Sequence, residues 1–196
     1  HAGKGHNDST GGTGGSCNVF VGYHAASNYR AGSNNVLIGR YVGASNSTAS
    51  NNIAMGNQPL YSNLTGSGNI SLGSQSMENN LTGYLNVGLS CNALHNNTTG
   101  NFNIAIGHNS LYCNTTHHNS IAIGCLAGYK ATNGPNIMMG NGAGCLLTGC
   151  TNIMLGNSAG NKSTDATGNT FVGYQAGVCN TTGDKNTFIG CKAGIG

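Results

Sequence analysis

Short apolar phrases, each led by a polar residue and closed by glycine, recur along the whole chain. Examples are NVFVG at 18–22, NVLIG at 35–39, NIAIG at 103–107 and NTFVG at 169–173, and there are eleven copies. In each copy two apolar residues flank a central one, as Val19 and Val21 flank Phe20, which is the two-residue period of a β-strand. The pattern predicts eleven short strands. It predicts that Val19, Val21 and their equivalents point inward and that the central residues point outward.

The closing glycines set the length of the repeat. They are 17 residues apart, except for two steps of 16 and a step of 15 followed by one of 19 around the degenerate copy YLNVG at 84–88. A unit this short cannot bury an apolar face alone, whereas stacked units can. We therefore predict an all-β, parallel β-solenoid of about eleven 17-residue coils over residues 17–196. Residues 1–16 are Gly-rich and are expected to form a flexible N-terminal segment.

An all-β sandwich of antiparallel hairpins is the rival architecture, but its strands would not keep the same side chain at the same phase in every copy. Several coils also place alanine three residues after the closing glycine, which predicts a second short strand with a small inward side chain. These alanines are Ala127, Ala143, Ala159, Ala176 and Ala193.

Asparagine occupies two columns of the predicted stack. One column leads the strands and predicts a structural ladder in which each side chain bonds the backbone and the next coil. It contains Asn18, Asn35, Asn52, Asn69, Asn103, Asn136, Asn152, Asn169 and Asn186. The second column follows the closing glycine by seven residues and matches the N-glycosylation acceptor pattern, so it predicts covalent glycans or, alternatively, plain Asn-Thr turns. It contains Asn46, Asn63, Asn80, Asn97, Asn114 and Asn180.

The eight cysteines suggest disulfides in an oxidising compartment. Cys113 and Cys125 are twelve residues apart, and so are Cys179 and Cys191 at matching phases, so both pairs are predicted. Cys145 and Cys150 could close a small loop. Cys17 and Cys91 lie several coils apart and cannot meet within a straight rod.

Charged residues make up only 6% of the chain and the net charge is +3. The few basic residues are scattered, so neither a nucleic-acid partner nor an anionic membrane surface is expected. No apolar run approaches the length of a membrane span, so no membrane insertion is expected. The acids do not form a catalytic pair and no nucleophile stands beside a base, so we expect no enzyme, no metal site and no cofactor.

The stretch NTFVGYQAGVCNTTG at 169–183 resembles the repeats N-T-A-I-G-Y-Q-A-L-x-x-N-T-T-G of phage and viral tail-fibre proteins and of many uncharacterised surface proteins. NIAIG and SIAIG also resemble, more distantly, the head repeats of trimeric autotransporter adhesins. The resemblance implies a β-roll on the surface of a cell or virion, and it departs from the adhesin heads in having a longer repeat.

Three functions follow as hypotheses. The first is a structural subunit of an extracellular fibre or filament, whose copies stack end to end because the last coil, with Thr187 and Ile189 expected inward, keeps the form of a repeat. The second is an adhesin or tail-fibre segment that binds a receptor or glycan through an outer tyrosine stripe. That stripe would comprise Tyr23, Tyr41, Tyr61, Tyr112, Tyr129 and Tyr174. The third is an ice-binding protein that uses a threonine column, namely Thr65, Thr82, Thr99, Thr116 and Thr182.

Overall fold

The computed structural model describes residues 15–195, and they form a parallel β-solenoid. Eleven strands make one sheet in chain order, each pairing in parallel with its neighbours in sequence. The strands are β1 (Val19–Val21), β2 (Val36–Arg40), β3 (Ile53–Asn57), β4 (Ile70–Leu72), β5 (Val87–Leu89), β6 (Ile104–Ile106), β7 (Ile121–Ile123), β8 (Ile137–Met139), β9 (Ile153–Leu155), β10 (Thr170–Val172) and β11 (Thr187–Ile189). The predicted fold class is therefore confirmed. Most of the predicted 1–16 segment lies outside the described residues.

Equivalent residues of successive coils stack directly on one another. Val19 pairs with Val36, and Ile104 pairs with Ile121. At a strand spacing of about 4.8 Å, the ten steps from β1 to β11 give a rod about 48 Å long.

The predicted orientation of the strands is wrong, because it is the central residue that points inward. From Leu37 to Phe171 every central residue is buried, whereas the flanking residues are half-buried or exposed. In β11, Phe188 packs against the core and Ile189 is 71% exposed. The sheet therefore presents its aliphatic residues outward.

The predicted slip around Gly88 is also wrong. Gly88 pairs with Ser71 and Ala105 as the central residue of β5. Ser90, at φ 117°, takes the place that a positive-φ glycine closes in the other coils. Steps of 17 residues thus separate Gly73, Ser90 and Gly107, and the repeat is regular.

The predicted second strand is absent from residues 15–195, because the segment after each closing glycine forms turns. Two positions of this segment have positive φ, as at Leu126 (57°) and Gly128 (58°). The intervening Ala127 is buried, so the inward alanine itself is where the pattern places it. The turns still bond from coil to coil, as when Leu111 N donates to Ala127 O at 3.0 Å.

Two columns of side chains fill most of the narrow interior, and their sizes compensate. The residue six positions after a large strand centre is small: Leu37 faces Gly43, and Phe171 faces Gly177. After a small centre it is large, as with Ala54 and Leu60. The core is therefore about one large side chain thick in most coils.

Candidate interaction surfaces

The outward face of the sheet is the most extensive apolar surface of the rod. Two columns flank the buried strand centres, one running from Val19 to Thr187 and the other from Val21 to Ile189. Every member is Val, Ile, Leu or Met except Thr170 and Thr187. None carries a charge, so the face is uniformly aliphatic along its length.

One long edge of this face carries a ridge and a groove. The ridge consists of Tyr84, Leu85 and Phe102, all exposed, with the Tyr84 and Phe102 rings 5.1 Å apart. The groove has a volume of about 270 Å³ and lies where two successive coils are one residue shorter. Its lining includes Ile121, Ile137 and Ile153 of the face together with Asn119, Pro135 and Thr151 of the edge.

The strand-leading asparagines form one ladder through the rod. Asn52 N donates to Asn35 Oδ1 at 3.0 Å, and Asn69 N donates to Asn52 Oδ1 at 2.9 Å. All nine asparagines named in the sequence analysis lie in this column. Asn86, which the sequence analysis missed, and Ser120 occupy the two remaining coils. Recognising Gly88 as a strand centre would have placed Asn86 in the ladder from sequence.

The second asparagine column is internal. Asn46, Asn63, Asn80, Asn97 and Asn114 are buried, and only Asn180 is half-exposed. Asn97 Nδ2 donates to Asn80 Oδ1 at 2.8 Å and to Gly100 O at 3.0 Å, so its amide hydrogens are both used. Glycosylation stays a prediction, but the burial and bonding of these five side chains argue against it because a glycan on the nitrogen has no room here.

All eight cysteines carry free thiols, so the pairs Cys113–Cys125, Cys179–Cys191 and Cys145–Cys150 are not formed in the structure. Stacking explains the first case. Cys113 N bonds Tyr129 O, so the coil that follows places Lys130 on Cys113, whereas Cys125 lies five residues earlier in that coil. Burial raises the pKa of the Cys145 thiol, Lys130 opposes this rise, and Cys113 and Cys125 add to it.

The tyrosines form clusters rather than one stripe. Near the first coils, His24 stacks on Tyr41 at 5.2 Å, Tyr23 meets both rings edge-on, and the Arg40 guanidinium lies 4.6 Å from the Tyr41 ring centre.

A second cluster lies along the middle of the rod. Tyr112 stacks between His95 at 5.0 Å and Tyr129 at 5.3 Å, and His95 Nδ1 lies 3.5 Å from Glu78 Oε2. Tyr174 is exposed and belongs to neither cluster.

The remaining polar candidates lie at the corners. Thr65, Thr82, Thr99, Thr116 and Thr182 are exposed in bends and not on the flat sheet. Burial lowers the pKa of His117, and neighbouring His118 lowers it further. Within residues 15–195, no three His, Cys, Asp or Glu side chains are grouped so as to hold a metal ion, and no helix could span a bilayer. A comparison with known proteins finds no match among family models, curated proteins or solved structures.

Proposed function

We propose that this chain is a structural protein, a subunit of an extracellular fibre or filament built from copies of itself. The observation that supports the proposal is the continuity of the stack. In-register backbone pairing and an asparagine ladder join every coil from β1 to β11. A rod held together in this way resists bending and shear at each step, which is the property a fibre needs.

Copies would join end to end by the pairing that already joins coils within the chain. β11 stacks on β10 through Phe188 on Phe171, whose ring centres are 5.1 Å apart. β1 carries Phe20 at the same position of its coil. A Phe188-to-Phe20 contact would continue the column of core side chains across the junction, and an open, heterologous junction of this kind propagates.

The test is fibre diffraction and negative-stain microscopy of the purified full chain. If rods join end to end, aligned filaments give a reflection near 4.8 Å along the fibre axis, because the strands stack along that axis. Phe188→Asp should shorten the filaments, whereas Tyr174→Asp, a substitution on the outer surface of the preceding coil, should leave their length unchanged. Filaments whose 4.8 Å reflection lies across the axis would contradict end-to-end joining.

A second function is favoured by the aromatic cluster near the first coils. Tyr23 is 51% exposed and lies beside Tyr41, His24 and Arg40. Rings of this kind stack on sugar faces while a guanidinium bonds hydroxyl or acidic groups, so the cluster suits an adhesin that recognises a glycan. Glycan-array binding that is lost in Tyr23→Ala and retained in Tyr174→Ala would support it, and equal binding by the two variants would contradict it.

A further inference from the structure

We propose that the aliphatic face seats the same face of a second copy of this chain, with the two rods antiparallel about a twofold axis. This surface runs along the side of the rod. It is separate from the coil ends through which the proposed fibre grows, so either contact can form without the other.

The face has the composition of an interface. Val19, Val21, Ile53 and Met55 are 42–50% exposed, and no charged side chain interrupts either column. The strand width of three residues is about 10 Å and the rod length about 48 Å, which gives close to 500 Å² of nearly flat apolar surface. A patch of this size is at the upper end of what a monomeric protein leaves in water.

The periodicity of the face selects the partner. Its side chains form parallel rows about 4.8 Å apart, repeated over eleven coils. Rows and the gaps between them interlock fully only with a surface of the same spacing, as in the dry interfaces between paired sheets of stacked β-strands. A second copy of this chain has that spacing, with the same aliphatic residues to fill the gaps.

The ridge and the groove fix the orientation. Both lie on the edge where the strands begin, the ridge at the start of β5 and β6 and the groove beside β7, β8 and β9. A twofold axis parallel to the strands reverses the rod but keeps this edge opposite itself. It therefore places Leu85 and Phe102 of each copy over the groove of the other. Parallel rods would bring opposite edges together and leave both grooves empty.

The contact is large enough to hold. In the antiparallel arrangement about nine coils of each copy overlap, which buries roughly 430 Å² of flat face per copy before the ridge and groove are counted. The two copies together, with two ridge-in-groove contacts added, bury close to the 1,000 Å² that a specific association requires.

The test begins with the mass of the full chain in solution, by light scattering or sedimentation over a range of concentrations. At about 100 µM we expect twice the 19.8 kDa chain mass. The double variant Ile53→Lys/Ile153→Lys places charges on two well separated coils and should shift the mass to that of one chain. Leu64→Lys/Leu81→Lys is the matched control, because these leucines are similarly exposed but lie at a corner away from the sheet.

A second readout needs no substitution. Met55 and Met139 are 44% and 41% exposed on the face, whereas the other three methionines are buried. Under peroxide, Met55 and Met139 should oxidise several-fold more slowly at concentrations where the mass is doubled than after dilution to single chains. The lysine double variant, which keeps both methionines, should lose this protection, and circular dichroism will show whether it keeps its β-structure.

Several results would overturn the inference. They are a single-chain mass at every concentration, a mass of three chains, a doubled mass that survives Ile53→Lys/Ile153→Lys, and unprotected Met55 and Met139 in the wild type. Single rods that shape growing ice crystals would also do so, because the face would then meet ice and not a second copy. Since filament length is measured separately with Phe188→Asp, failure of lateral pairing and failure of end-to-end growth are distinguishable.

Discussion

Gly177 lies directly against the ring of Phe171. A Cβ placed on Gly177 would come within 2.6 Å of both Cδ2 and Cε2 of the ring. The opposite arrangement occurs in the coil of β6, where the strand centre is Ala105 and Leu111 fills the space from the other wall. The volume of the coil interior is therefore conserved while the wall that supplies the large side chain changes.

Exchanging the two walls should restore stability that a single substitution removes. Phe171→Ala alone should lower the free energy of unfolding by about 3–5 kcal/mol, because it leaves a cavity in a fully buried site. Adding Gly177→Leu supplies a side chain from the opposite wall, as Leu111 does at a similar φ of 47°. We expect the double variant to recover at least half of the loss in denaturant titrations. A double variant no more stable than Phe171→Ala would contradict compensation.

A pair of alanine substitutions separates packing from backbone strain. Gly177 has φ 60° and Gly168 has φ 71°, so alanine meets a similar conformational penalty at both. At Gly168 the nearest atom to an added Cβ is Lys185 Cγ at 3.5 Å, an ordinary contact. Gly177→Ala should therefore cost about 1–3 kcal/mol more than Gly168→Ala. Equal losses would show that the ring of Phe171 moves aside freely.

Ser90 should be a site where glycine stabilises the protein. It is exposed, its φ of 117° is one that side chains other than glycine's rarely adopt, and no side-chain hydrogen bond holds it there. Ser90→Gly should raise the free energy of unfolding by about 1 kcal/mol, since relief of about 1–3 kcal/mol of strain exceeds the entropy that glycine loses on folding. Ser90→Ala is the control and should bring no gain. A loss of stability in Ser90→Gly would mean that the serine hydroxyl has a structural role.

The sequence predicted the coil, the repeat length and the parallel stack, but it reversed the two sides of the strands. Hydrophobicity misled because the narrow interior takes Ala54, Ser71 and Gly88 at strand centres, while Val and Ile lie outside. Which side is inward depends on whether the opposite wall contributes a large residue, such as Met77 facing Ser71. That pairing is visible only once the coil is closed.

The predicted sites had a similar fate for a related reason. The Asn-x-Thr pattern of the Asn63 column is the same for an exposed acceptor and for a buried corner ladder, and only the turn geometry distinguishes them. Gly88 completed an apolar phrase in sequence, but strand pairing aligns it with Ser71 and Ala105. Pattern alone therefore fixed the period better than the phase of individual residues.

Native alkylation without reductant should modify the cysteines in a defined order. Cys17, Cys179 and Cys191 are exposed and should react first. Cys113 and Cys145 should react slowly, because burial raises the pKa of both thiols and so lowers the reactive thiolate fraction at neutral pH. Their rates should rise as the pH is raised. Mass spectrometry that finds Cys113 linked to Cys125, or Cys179 linked to Cys191, would contradict the free thiols of the structure.

Asn86 should be among the most sensitive polar positions of the rod. Its Oδ1 accepts from Asn103 N at 2.9 Å, and its Nδ2 donates to Gly100 O at 2.8 Å, all within the buried ladder. Asn86→Ala leaves the Asn103 N–H without an acceptor, and we expect a loss of about 2–3 kcal/mol in the free energy of unfolding.

A matched series shows whether that loss comes from the ladder. Asn86→Ser should lose less than half as much, because Ser120 keeps the same ladder continuous by accepting from Asn136 N at 3.2 Å. Asn109→Ala removes a half-exposed amide that accepts one bond from Asn92 Nδ2, so it should change stability by no more than about 0.5 kcal/mol. Denaturant titrations of the three variants decide the matter. If serine and alanine at position 86 are equally damaging, the amide donor to Gly100 and not the acceptor for Asn103 holds the coils together there.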